Sequence, residues 1–354
     1  MIPRYRFTNG YQISRIVKGG WHLAGDHGAV DPQQALRDMA TFIEAGVTSF
    51  DCADIYTGVE SLIGQFRRQY PELARRLQVH TKYVPDLSNL RSLERRQIEA
   101  GIDRSLRRLG MQQLDLLQFH WWDFAVPRYV EVAGELDRLR RAGKIAQLGV
   151  TNFDTPHLDE LVRAGVAVIA HQLQYSLLDQ RPTASMVGFC ARHDIGLLCY
   201  GTVAGGFLSE RWLGQAQPPA NLSNRSLIKY RLIIEDFGGW SLFQQLLTVL
   251  ATIAGKHHTD IASVATRAML DRAQVAAAIV GATNTKHLQA HSMMGALQLD
   301  AQDLAAIAEV IGRRRGPRGD VYVLERDRDG PHGQIMKYEL NAAERAAAPA
   351  SRPA

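Results

Sequence analysis

Four side chains of complementary chemistry stand at the ends of short apolar runs: Asp51, Tyr56, Lys82 and His120. Asp51 closes the run Thr48–Asp51, and Tyr56 follows through Cys52-Ala53-Asp54-Ile55. Lys82 closes Gln78–Lys82, and His120 follows Leu114–Phe119, ahead of Trp121-Trp122. A phenol with a pKa near 10 is a poor acid at neutral pH. A neighbouring ammonium stabilises the phenolate and turns Tyr56 into a competent proton donor. The ammonium must stay charged although desolvated, which a carboxylate such as Asp51 ensures. An imidazole, His120, can donate a hydrogen bond to a substrate carbonyl oxygen and fix its orientation. The set lacks an electron source, and that points to hydride from a nicotinamide bound nearby.

These residues converge only if the runs that carry them are neighbouring parallel strands. The chain alternates strand-sized apolar runs with amphipathic helical patterns. The strands are expected at 15–18, 48–51, 78–82, 114–119, 146–150, 168–173, 196–199 and 277–280. Helices are expected at 32–45, 59–68, 93–109, 128–142, 156–164, 183–193, 242–255, 260–271, 285–294 and 301–314. This alternation predicts a closed (β/α)8 barrel, whose chemistry gathers at the C-terminal ends of its strands. A doubly wound sheet would alternate too, but no G-x-G-x-x-G follows the first strand. Asn9-Gly10 between alternating residues predicts an N-terminal hairpin. Residues 1–315 form the expected barrel domain, and 316–354 a polar C-terminal extension ending in a disordered Ala-, Pro- and Arg-rich stretch. Residues 201–239, rich in Gly, Pro, Asn and Ser, read as a long functional loop.

The stretch from Gly46 to Glu60, with Phe50-Asp51-Cys52-Ala53-Asp54-Ile55-Tyr56 at its centre, resembles the aldo-keto reductase superfamily. The resemblance runs from about Tyr11 to Arg314. It implies a catalytic tetrad of Asp51, Tyr56, Lys82 and His120, with Tyr56 as general acid, acting on a small carbonyl or alcohol substrate. It also implies a cofactor site. Gly20 and Trp21 are similar to a first-strand motif lining cofactor and substrate. Thr151, Asn152 and Gln172, with Asp51 beside them, match the positions around the carboxamide. Tyr200 matches the ring that stacks on the nicotinamide, and Gly201, Thr202 and Gly205 the segment embracing the pyrophosphate. Gly281, Thr283, His287 and His291 fall on the adenosine stretch. His287 stands where many members carry arginine, and Ala290-His291 replaces their Glu-Asn pair. NADP(H) is thus expected over NAD(H) from the family, not from this motif. The alternative is a nicotinamide-binding regulatory protein on the same barrel.

Trp21, Trp121 and Trp122 flank the rim and are expected to wall a substrate pocket. Asp54 is expected to pin the turn, Cys52 to be buried and inert, and Lys256-His257-His258 to be a solvated turn without a third metal ligand. The chain has 354 residues, a formal charge of +5 and three cysteines without C-x-x-C spacing. Its basic residues are scattered along helical patterns, which argues against a nucleic-acid footprint. No apolar run approaches the roughly 18 residues of a membrane span, and the polar start has no secretory signal, so a cytoplasmic location is expected. No motif bears on oligomeric state.

Overall fold

The computed structural model describes residues 2–24, 30–220, 222, 224–282, 284–293 and 296–341, with only the backbone of 291–293. Two short antiparallel strands, β1 (Arg4–Arg6) and β2 (Gln12–Ser14), form the expected hairpin, with Tyr5 opposite Ile13. Eight parallel strands follow: β3 (Ile16–Gly19), β4 (Ser49–Asp51), β5 (Gln78–Tyr83), β6 (Leu114–Phe119), β7 (Ile145–Thr151), β8 (Val168–Gln174), β9 (Gly196–Tyr200) and β10 (Val275–Gly281). They close in chain order, with β10 pairing both β9 and β3. The expected (β/α)8 barrel is what forms.

The hairpin plugs the N-terminal mouth. Phe7 and Ile13 join Val17, Leu116, Ala170 and Leu198 in an apolar cluster separate from the main core. A Cβ on Gly196 would meet the Phe7 ring at 2.7 Å, so that seat is open only to glycine. The Tyr11 hydroxyl reaches His80 Nε2 at 3.2 Å. With this end filled, a ligand can enter only from the other mouth.

Helix starts follow ordinary capping chemistry. Asp31, Asp154 and Asp260 accept from the backbone amides of Gln33, His157 and Ser263, answering amides that a first turn leaves unpaired. Among the described residues no single helix is long and apolar enough to cross a membrane.

Two regions differ from the sequence reading. Residues 201–239 are not a plain loop: Arg225–Phe237 is a helix of 13 residues, capped by the Asn224 side chain at the Leu227 amide. Its buried positions, Tyr230, Ile233, Ile234 and Phe237, are spaced three or four apart. The Gly, Pro, Asn and Ser flanking it outweighed that periodicity in the reading. Glu235 and Asp236 lie on this helix, and Asp236 meets His332 at 2.8 Å. In the extension, residues 316–341 lie across the C-terminal mouth in short helical turns, Val323–Arg326 and Pro331–Gln334. Residues 342–354, the stretch expected to be disordered, lie outside the described residues.

Candidate active site

The end of β4 is the organising point. Asp51 is almost wholly buried, and both its oxygens are answered: Oδ2 accepts from Lys82 Nζ at 2.7 Å, Oδ1 from Gln172 Nε2 at 2.6 Å and Gln118 Nε2 at 3.1 Å. Four strands thus contribute to one polar net, because parallel register brings their C-terminal ends to the same level. Lys82 also donates to the Cys52 carbonyl at 2.8 Å and to the Tyr56 hydroxyl at 3.4 Å. An ammonium has donors only, so the Tyr56 oxygen accepts and its own proton is free for another acceptor.

Burial works against the Lys82 charge, but Asp51 and then Tyr56 more than compensate and raise its pKa. For Tyr56 the balance differs from the sequence expectation. Burial raises the phenol above its usual range, and Lys82 offsets only part of that rise. The correction is physical: a desolvated phenolate costs more than one ammonium at 3.4 Å returns. Tyr56 is therefore held as the protonated phenol at neutral pH.

His120 Nδ1 lies 3.2 Å from the Thr151 carbonyl oxygen. Burial, then the Arg326 guanidinium, lowers its pKa to about 3, so the ring is neutral. A carbonyl oxygen only accepts, so the proton resides on Nδ1 and Nε2 presents a lone pair. Asp54 accepts from the Val84 amide at 3.2 Å, pinning the turn, and Cys52 is buried with its thiol pKa pushed up by desolvation.

A cavity of about 730 Å³ opens over this net. Asp51, Tyr56, Lys82 and His120 all line it, as do Thr151, Asn152, Gln172 and Tyr200. Gly201, Gly205, Gly281 and His287 line its walls as well. Of the tryptophans, Trp21 and Trp122 reach it. Trp121 does not. Its ring is fully buried and its Nε1 donates to the carbonyls of Asp123 and Val126, since neighbouring residues leaving a strand point to opposite sides. Gly20 and Thr202 are also off the wall: a Cβ on Gly20 would meet the Asp51 carbonyl at 2.6 Å, and Thr202 is wholly buried. Thr283 and the His291 side chain lie outside the described residues.

The cavity suits a dinucleotide. Its volume is in the range of cofactor clefts. Ser263 and Thr266 line it with buried hydroxyl oxygens that have no partner in the protein. Gly201, Gly205 and Gly206 have φ of 82°, 62° and 98°, a backbone that folds tightly round a ligand where side chains would clash. Sequence reasoning missed Ser263, Thr266, Lys229 and Tyr230 on this wall, and Tyr322 and Met336 from the extension. The polar pair on the helix Ile261–Leu270 carried a faint signal, two hydroxyls at an i, i+3 spacing; the others carried none.

Comparison with known proteins agrees with this geometry. Residues 15–311 match the aldo/keto reductase family. The chain is 25% identical over 323 residues to a probable aldo-keto reductase 1 of Glycine max, covering 89% of this chain and 88% of that protein. It is 27% identical over 311 residues to the aldo-keto reductase YhdN of Bacillus subtilis, covering 85% and 91%. In fold it superposes on the glycerol dehydrogenase AKR11B4 of Gluconobacter oxydans with a TM-score of 0.74 at 23% identity, over 89% of this chain and 97% of that one. The chain belongs to the aldo/keto reductase family, and is an enzyme that transfers hydride between NAD(P)H and an aldehyde or ketone.

Proposed function

We propose that Tyr56 is the proton donor in reduction of a small aldehyde or ketone, that NADP(H) is used in preference to NAD(H), and that the reaction belongs to the cytoplasm. The observation that carries the first point is the Lys82 Nζ–Tyr56 oxygen contact of 3.4 Å at the cavity wall. When bound, the reduced nicotinamide supplies the hydride. Tyr56 holds a proton at its hydroxyl and releases it to the carbonyl oxygen as negative charge builds there. Lys82 stabilises the phenolate left behind, and Asp51 keeps Lys82 charged. His120 orients the substrate.

Thr151, Asn152 and Gln172 would hold the carboxamide; the Gln172 amide nitrogen is engaged by Asp51 and Gln118, which leaves Oε1 as an acceptor. The Tyr200 hydroxyl donates to Asn152 Oδ1 at 2.8 Å, steadying its ring as a stacking platform. Gly201 and Gly205 would take the pyrophosphate, with Thr202 and Gly20 shaping the segments behind. Gly281, Thr283, His287 and His291 would take the adenosine end. Arg211, Arg225 and His287 on the cavity wall can meet the phosphate charge that both cofactors carry, and the preference for the phosphorylated one is taken from the family. The three cysteines are buried and unbridged, in keeping with a reducing compartment.

The test is NADPH or NADH oxidation with a panel of aldehydes and ketones. Tyr56→Phe should lower kcat about 10²- to 10⁴-fold while cofactor binding, read by fluorescence, is unchanged. Full activity in Tyr56→Phe overturns the assigned donor, and a kcat/KM favouring NADH overturns the cofactor preference.

A further inference from the structure

Asn152 stands just past the end of β7 with φ at 62°, a left-handed backbone that a residue with a side chain keeps only when its surroundings hold it there. Four contacts do so. Its amide donates to the Gln172 carbonyl at 2.9 Å, and the next amide, of Phe153, to His171 Nε2 at 3.2 Å. Its Oδ1 accepts from the Tyr200 hydroxyl at 2.8 Å. Its own carbonyl accepts from Arg326 Nη2 at 2.7 Å, and Arg326 comes from the extension, 174 residues further along the chain.

The same Nη2 donates to the Trp121 carbonyl at 3.0 Å, so one nitrogen bridges the ends of β6 and β7. The guanidinium lies over the Phe124 ring at 4.1 Å and near the Tyr322 ring at 5.2 Å, an aromatic seat that fixes the direction of its N–H bonds. Nε and Nη1 are buried without a hydrogen-bond partner among the described residues, so the two carbonyls are what the seat serves. Asp320, also of the extension, accepts from the Thr155 amide at 2.9 Å and holds the same turn three residues on. Asn152 lines the cavity, and Arg326 is not among the residues that do. With Oδ1 taken by Tyr200, Asn152 offers a ligand its Nδ2 donors, and a carboxamide oxygen is the matching acceptor. Where those donors point follows from the left-handed backbone. We propose that Arg326 is a positioning residue for the cofactor: from outside the cavity it locks Asn152 in the conformation that presents Nδ2 to the nicotinamide carboxamide. The proposal rests on the reading of Asn152 as a carboxamide contact and makes cofactor binding depend on the extension.

NADPH titrations of the full chain, read by quenching of tryptophan fluorescence, test it. Arg326→Gln should raise the Kd for NADPH about tenfold, the worth of a hydrogen bond from a charged donor. Asn152→Gly keeps the left-handed backbone without strain but removes the side chain, and should weaken binding by a similar factor. Arg326→Gln added to Asn152→Gly should then change the Kd by less than about twofold, because no side chain is left for Arg326 to place. An arginine that merely braces the fold would weaken both backgrounds alike. Equal losses in the two backgrounds, or an unaltered Kd in Arg326→Gln, overturns the proposal. Should Arg326→Gln fail to fold, Arg326→Lys keeps the cation at shorter reach, and the same cycle with it must show the same non-additivity. An Asn152→Gly chain that binds NADPH as tightly as the unaltered one sinks the carboxamide reading and the clamp with it. Weak binding in Asn152→Gly beside normal binding in Arg326→Gln sinks the clamp alone.

Discussion

Lys82 has three N–H bonds and three acceptors: Asp51, the Cys52 carbonyl and the Tyr56 oxygen. Its charge is buried, and what holds it there is the Asp51 carboxylate at 2.7 Å. Breaking such a pair from one side leaves the other charge without compensation, a loss of about 3–5 kcal/mol. Lys82→Met should therefore unfold at markedly lower urea, and Asp51→Asn added to it should recover part of the loss; an unshifted midpoint in Lys82→Met would contradict the buried pair. The sign of the pH dependence follows from the raised Lys82 pKa. Its contribution to stability is fully present below the unfolded value of about 10.4 and is lost as pH rises through the higher folded value. Asp51, Tyr56, Lys82 and His120 could be singled out from sequence because each lies at or just past the end of a strand. Their finer chemistry could not: whether Tyr56 is made more or less acidic depends on how much burial opposes Lys82, a three-dimensional quantity.

The extension is the element whose role composition concealed. It is tied across the mouth at several points: Arg326 donates to the carbonyls of Trp121 at 3.0 Å and Asn152 at 2.7 Å, and stacks on Phe124 at 4.1 Å. Glu325 receives Arg181 at 3.0 Å and Lys229 at 3.6 Å, and Arg181 also pairs with Asp179 at 2.6 Å. That buried cluster joins the loop after β8, the helix Arg225–Phe237 and the extension. Glu325→Gln should cost about 3–5 kcal/mol and raise KM for substrate, since Tyr322 lines the cavity; calorimetry and steady-state kinetics would read both, and a stable variant with an unaltered KM would show the clasp to be idle. Elsewhere the helices Val59–Gln69 and Arg95–Leu109 pack with Gly64 against backbone. A Cβ there would meet the Arg108 carbonyl oxygen at 2.0 Å, so Gly64→Ala should destabilise by about 1–3 kcal/mol in a denaturation curve.

At the scale of the whole barrel, three buried histidines stay neutral. Burial lowers His80 to about 4, and His120 and His171 to about 3, with Arg326 adding to the effect at the last two. Below the unfolded value near 6.5 the unfolded chain binds protons that the native state refuses, so stability falls with falling pH. Each contributes at most about 1.4 kcal/mol per pH unit over that window. Denaturation midpoints at pH 7 and pH 4.5 should differ in that direction, and His171→Gln should flatten the slope; a flat profile would mean that these rings are solvated.

Periodicity and strand ends were enough, in this chain, to read the eight-stranded barrel and its hairpin and to single out the four rim residues proposed for catalysis, because these depend on local order: apolar alternation along a strand, and the residues that follow it. The tertiary structure alone decided the rest. Trp121 and Trp122 are adjacent and chemically alike, yet one is core and the other wall, since the direction of a side chain leaving a strand follows from packing around it. The clasping extension gains its order from residues far along the chain, such as Glu325 with Arg181 and Asn341 with Asp86, and the helix Arg225–Phe237 from Lys229 with Glu325 and Asp236 with His332. The proton on His120 is likewise set by a carbonyl of another strand. Long-range contacts of this kind leave no period in the sequence from which to infer them.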